Sequence, residues 1–447
     1  MKKIAFLVIF LAVSMTCQPQ GNSSASFSSG LHKRISEYID TLEIVDTHEH
    51  FYDPGILPET YFFDFSLLLQ QNTWDGFVAA GMDPGMVYKI YGEPTTVAQK
   101  WKIIEPYWNR SFNTAYNRVM LRGLKDLHGV SELSGKTVET ISSKIKKAYS
   151  GNWFNHVLKD ICRFKYVIID GKPLEKEYEN IKYVQRFSAW LTLNSKFRLD
   201  SIAVMQVSPI YSLEDYVESM KRILDEGMKT GMVAAKIDVA YKRSLFFDKV
   251  TVAAARRVFR DLANGNYDMK MKEKDAKILQ DYMMHQLLDM IREYDMPVAF
   301  HTGIQACGPN ILGNSDPELL TNLFTEYPEI HFVLFHGSYP FGGKLTTLAR
   351  NFSNVFIDMN WTYSISPEYA ERYLTEWLEA VPASKIMAFG GDQRCVENTY
   401  GNLMVAKKII TDVLAAKVNN GYFTEQEALT VARMILYDNA IDFYNLP

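Results

Sequence analysis

Eight short apolar runs rich in β-branched residues, most of them separated by amphipathic segments, predict an α/β fold. The expected form is a distorted (β/α)8 barrel of the TIM type with a large helical insertion after its first strand. Two observations narrow the choice to a barrel. Eight strands suit a closed sheet better than an open, doubly wound one. One connection, residues 51–165, is too long to be a plain loop and must carry structure of its own.

The strands are expected at 43–48 (EIVDTH), 166–170 (YVIID), 201–207 (SIAVMQV), 232–237 (MVAAKI), 297–301 (PVAFH), 331–336 (HFVLFH), 354–358 (NVFID) and 385–390 (KIMAFG). Segments such as LLTNLFTEY and KILQDYMMHQLLDMIREY between them carry the apolar spacing of helices. The 51–165 connection looks mostly helical and is rich in Trp, Tyr and Phe. A loop that follows a barrel strand faces the catalytic end, so this segment is expected to cap the mouth. Residues 238–296 are a second long connection and a candidate further wall. EQEALTVARMILYDNAIDFYNL is expected to close the chain as a helix, and no internal repeat is visible.

A length of 447 residues admits two or three domains, but one barrel with insertions fits it as well. A net charge of −4 without any Lys/Arg run argues against a nucleic-acid partner. At the start, Lys2 and Lys3 precede the apolar run Ile4 to Val13, which is too short to span a bilayer, and Cys17 follows. That order resembles a bacterial lipoprotein signal. Residues 1–17 are read as the signal peptide with Cys17 lipidated, 18–39 as a tether, and 40–447 as the barrel. Ser14-Met15-Thr16 departs from the usual residues before such a cysteine, and an ordinary cleaved signal is the alternative. Both readings export the chain to the periplasm or to a lipid anchor at a bacterial membrane. Cys162, Cys307 and Cys395 remain, an odd number with no CxxC, so free thiols rather than a disulfide scaffold are expected.

Four strand ends carry residues suited to a divalent cation. His48 and His50 lie two apart in DTHEH and share one face of an extended strand. His301 ends strand five, His336 ends strand six, and Asp392 follows strand eight. Imidazoles with one carboxylate suit Zn²⁺ or Mn²⁺ and leave a position for water. Any one of these histidines alone is more often a hydrogen-bonded barrel residue. The set requires that coincidence four times at one face. His32, His128, His156, His285 and His331 lack such placement and are read as structural.

This pattern resembles the amidohydrolase superfamily, in particular the amidohydrolase-related branch that also holds mononuclear decarboxylases of the carboxymuconate-semialdehyde type. Uronate isomerases are similar too, including a helical insertion after strand one. The resemblance covers roughly residues 40–447. It implies that His48, His50, His301 and Asp392 bind the metal, with His336 a second-metal ligand or a catalytic base. In binuclear members a lysine at the position of Lys236 is carboxylated and bridges two metals; in mononuclear ones that position contacts substrate. An outward, ion-paired Lys236 is the third possibility, and a charge argument favours substrate contact. In the cap, Arg110 flanked by Trp108 and Tyr116, with Arg118 nearby, is a candidate carboxylate clamp, set against the commoner case of aromatic core. Arg394 is a candidate substrate contact, and Asp358 and Glu397 candidate supports behind the ligands.

The implied activity is hydrolysis of a small acidic or carbohydrate-derived substrate by a metal-activated water, with Asp392 taking its proton and Lys236 and His336 acting on the substrate. A lyase or isomerase acting on a sugar acid is the rival enzyme class. A non-catalytic surface-tethered binding protein is the third reading, against which the full ligand set argues.

Overall fold

The computed structural model describes residues 23–447 except positions 70, 172, 175–177 and 307. The signal segment expected at 1–17, with Cys17, and Cys307 lie outside the described residues. The eight strands are β1 (Ile44–Glu49), β2 (Phe164–Asp170), β3 (Ile181–Arg186), β4 (Met232–Ile237), β5 (Val298–Phe300), β6 (Phe332–Leu334), β7 (Val355–Asp358) and β8 (Ile386–Met387). They form one parallel sheet in chain order. Beyond β8 the backbone turns back onto β1: Thr47 N donates to Phe389 O at 3.2 Å and Asp392 N to His48 O at 2.7 Å. These bonds draw the sheet into a barrel.

Strand alternation decides what the mouth contains. Ile168, Val184, Ala234 and Ala299 fill the barrel interior together with Val45 and Val333. The side-chain period of a strand is two, so Asp170, Arg186, Lys236 and His301, each two residues further on, face the same way at the C-terminal end. The opposite end is plugged from the C-terminus, where Ala440, Phe443, Tyr444 and Leu446 join the interior cluster. That closing segment is helical as expected, in three pieces: Glu425–Arg433, a wider turn at Met434–Asp438, and Asn439–Phe443.

Two expectations are corrected. SIAVMQV (201–207) is not the third strand, since most of it lies in the helix Lys196–Met205. Ser195 starts that helix, accepting from Arg198 N at 3.3 Å, and buried Leu199 and Ile202 recur at helical spacing while Val204 and Met205 are exposed. The third strand is IKYVQR, whose alternation, Tyr183 outward and Val184 inward, is partly masked by its polar residues. The tether does not extend to residue 39 either. Ser23–Thr41 is a helix whose Leu31, Ile35 and Ile39 are buried and whose Arg34 pairs with Glu425 at 2.7 Å. Among the described residues no helix is long and apolar enough to cross a membrane.

The long insertion is helical, including Asn72–Ala79, Val97–Ser111, Ala115–His128 and Val138–Tyr149. It has a core of its own, built on Phe65, Trp74, Phe77, Trp101, Ile104 and Trp108, and a buried Lys100–Asp64 pair at 2.7 Å. The helix Ala115–His128 crosses the barrel helix Val396–Asn419 at two glycines. A methyl group on Gly123 would collide with Glu397 O, and one on Gly401 with Val119 O. Buried Glu397 then ties the insertion down, with His128 Nε2 at 3.0 Å, Trp153 Nε1 at 2.9 Å and Tyr149 OH at 3.1 Å.

Candidate metal centre

At the C-terminal mouth, His48, His50 and Asp392 each offer one ligand atom, and the three atoms lie within 4.8 Å of one another. His50 Nε2 stands 3.2 Å and His48 Nε2 3.9 Å from Asp392 Oδ1. The loop that presents Asp392 is clamped from β1. Asp46 accepts from Gly391 N at 3.1 Å and from His48 N at 3.2 Å. Glu49 accepts from Gln393 N at 2.5 Å and from Thr399 Oγ1 at 2.7 Å. Asp392 itself has a positive φ of 52°.

The donor set fits a divalent cation. Burial, reinforced by Lys236, holds His48 well below the usual imidazole range, so it presents a neutral ring. Burial opposes ionisation of Asp392, but His48, His50 and His336 outweigh it and hold its carboxyl well below the usual range. His336 Nδ1, buried and without a hydrogen-bond partner, faces Asp392 Oδ2 at 3.5 Å. A neutral imidazole at His48 and a carboxylate at Asp392 are ionisation states that metal ligation requires.

His301 does not join this three-residue cluster. Its Nε2 is 2.8 Å from Ile304 O and its Nδ1 is 2.9 Å from His336 Nε2. It touches the centre through His336, and burial lowers its pKa to about 4. His336 is held in turn by its backbone: His336 N donates to Asn360 Oδ1 at 3.0 Å, and Asn360 N to Asp358 Oδ1 at 2.8 Å.

A cavity of about 540 Å³ opens above the cluster, lined by His50, Asp392, Lys236 and His301 among others. Lys236 is buried, with Nζ 3.6 Å from the centre of the Phe335 ring and no hydrogen-bond partner. Burial lowers its pKa to about 8, against the opposing pull of Asp170. The cavity also takes in residues that the sequence did not single out: Asp170, Arg186, Arg198, Asp238, Tyr241, Lys242, Trp361 and Gln71. Arg186 grips both Asp170 oxygens, at 2.6 and 2.8 Å, and lies 3.1 Å from Asp238. Arg198 and Lys242 stand exposed at the rim.

The cap residues divide. Arg110 is exposed and donates to Ala80 O at 3.0 Å, and Trp108 belongs to the insertion's own core, so neither lines the cavity. Proximity in sequence to aromatic residues reflected that core, not a clamp. Tyr116 reaches the site indirectly: its OH donates to Gln71 Oε1 at 3.2 Å. Arg394 lines the cavity and donates to Tyr52 OH at 3.1 Å. The histidines read as structural are engaged elsewhere, for example His32 with Asp412, His156 with Asp160 and His285 with Tyr327.

A parallel barrel with a histidine–histidine–aspartate cluster at its mouth is the frame of a metal-dependent barrel enzyme. Comparison with known proteins agrees on the fold. A sequence model of the amidohydrolase family matches residues 268–446. The protein fluG of Emericella nidulans is 24% identical over 306 residues, 63% of this chain and 35% of fluG, so the match spans about a third of that relative. The uronate isomerase of Thermotoga maritima superposes with a TM-score of 0.75 at 16% identity, covering 93% of this chain and 97% of the isomerase. The glucuronate isomerase of Caulobacter crescentus gives 0.74 at 16% identity, covering 96% and 95%. The chain thus shares the fold of these isomerases over nearly its whole length, and its C-terminal part, residues 268–446, is similar to the amidohydrolase family.

Proposed function

We propose that the protein is a metal-dependent hydrolase acting on a small, carboxylate-bearing substrate. The observation that carries this reading is the His48–His50–Asp392 cluster, whose His50 and Asp392 line one cavity with Arg186, Arg198, Lys236, Lys242 and Arg394. His48, His50 and Asp392 would hold a divalent cation, zinc or manganese, which would supply Lewis-acid polarisation and acidify water. Asp392 accepts the proton of the attacking water and returns it to the leaving group. Lys236 sets a positive charge beside the reacting group in a low-dielectric wall. Arg198 and Lys242 draw the substrate carboxylate to the mouth, the part that the sequence suggested for Arg110.

The test offers the Zn²⁺- or Mn²⁺-reconstituted protein N-acyl amino acids, lactones and uronic acids. Release of acid or amine by the wild type, abolished together with bound metal in the His48→Ala/His50→Ala variant, is the expected result. A metal-loaded protein that turns over no acyl or lactone substrate would sink the hydrolase reading. A second reading, aldose–ketose isomerisation of a uronate, draws on the end-to-end superposition with two such isomerases. Its mark would be ketose formation from a uronate, with solvent deuterium entering the product. Decarboxylation or dehydration of a sugar acid would appear in the same panel.

Export is part of the proposal, with Cys17 as the lipid attachment point. Cys17→Ser should then move the protein from the membrane to the soluble fraction; equal partition of the two forms would favour an ordinary cleaved signal.

A further inference from the structure

We propose that the helical insertion forms part of the metal centre, acting through Gln71, whose side-chain amide orients Asp392 and so sets cation affinity. The proposal rests on reading His48, His50 and Asp392 as the cation site. Gln71 Nε2 donates to Asp392 Oδ1 at 3.2 Å, and Tyr116 OH donates to Gln71 Oε1 at 3.2 Å. All three side chains are buried. The direction of this chain is fixed by chemistry. A carboxylate only accepts, so the amide must turn its NH2 toward Asp392. Its carbonyl is then left for a donor, which the Tyr116 hydroxyl provides. A carboxylate that is free to rotate has no preferred oxygen. With Oδ1 held by Gln71 beside His50, Oδ2 is left facing His336 Nδ1.

The backbone supports a built arrangement. Gln71 sits at φ 36°, ψ −108°, a region that L residues avoid and that persists where the surroundings over-determine it. Tyr116 is anchored independently, in a small cluster with Ala306 and Trp361. Gln71 is therefore a positioning residue, and Tyr116 acts through it.

Metal-free protein is titrated with Zn²⁺ against a chelator, and the Co²⁺-substituted protein gives a visible spectrum of the ligand field. Groups that orient metal ligands typically contribute about 10- to 100-fold to metal affinity. Gln71→Leu should weaken Zn²⁺ binding by about that factor and shift the Co²⁺ bands. Tyr116→Phe should weaken it less, and Tyr116→Phe combined with Gln71→Leu should be no worse than Gln71→Leu alone. Should Gln71→Leu fail to fold by circular dichroism, Tyr116→Phe and Gln71→Glu, which sets a second carboxylate against Asp392, decide the matter by the same titration. Unchanged affinity and bands in the folded variants would overturn the proposal. A wild type that binds no Zn²⁺ would instead remove the cation site itself.

Discussion

Arg110 and Arg198 illustrate how far a single side chain can be read from sequence. Arg110 stands beside aromatic residues and suggests a clamp, yet it is turned to Ala80 O and solvent. Arg198 had no motif around it, and lines the cavity. Arg198→Ala should raise KM for an anionic substrate about 1.4- to 5-fold, in line with the ~0.2–1 kcal/mol of an exposed charge pair, with kcat little changed. Arg110→Ala should leave both constants alone; a KM effect there with none at Arg198 would reverse the assignment. His48, His50, His336 and Asp392 were legible because strand ends and two-residue spacing encode their direction. Asp170 carried the same strand-end signal unused, and Gln71 had none, because its role depends on a fold-back of the insertion. Thiol chemistry offers another check at this scale. Burial pushes Cys162 up and Cys395 well above the usual thiol range, so both stay protonated at pH 8.5. Alkylation of the folded protein at that pH should spare both and label them after denaturation; rapid labelling of either in the native state would contradict the packing around it.

At the level of elements, strands failed where length and composition were ambiguous. SIAVMQV has more β-branched and apolar character than IKYVQR, yet Ser195 and the spacing of Leu199 and Ile202 make it a helix. That exchange hid Arg186, since a residue is recognised as a strand end only when the strand is. The insertion's helical nature was legible, but its attachment was not, because two glycines separated by most of the barrel in sequence form the crossing. Gly123 and Gly401 allow the helix Ala115–His128 to lie against Val396–Asn419 at backbone distance. Gly401→Ala would force a methyl group onto Val119 O, and overpacking of this kind costs about 1–3 kcal/mol. A lower melting temperature is expected, with weaker protection of the insertion in hydrogen exchange. Unchanged melting and exchange would mean that the crossing is looser than its geometry.

For the whole molecule, the barrel depends on a segment that touches none of its chemistry. Sequence alternation indicated the catalytic face, but could not show what stops the other end, because a plug is defined by what it meets. Ala440, Phe443, Tyr444 and Leu446 pack into the same interior cluster as Val45, Ile168, Val184, Ala299 and Val333. Two polar ties add to them: Tyr166 OH donates to Pro447 O at 2.6 Å, and Asn439 Nδ2 donates to Ala383 O and Ile386 O, each at 2.7 Å. Burying each of the three large side chains contributes about 1.5–3 kcal/mol, so together they supply roughly 5–9 kcal/mol. Whole-protein stability is typically about 5–15 kcal/mol, which makes the plug comparable to the total. Ending the chain after Asp438 should therefore yield protein that is insoluble or lacks a cooperative thermal transition, although every residue of the candidate metal centre is retained. Phe443→Ala alone should cost about 3–5 kcal/mol and lower the melting temperature without altering Zn²⁺ affinity in the surviving folded fraction. A truncated protein with a wild-type melting curve would show that the barrel closes its own floor.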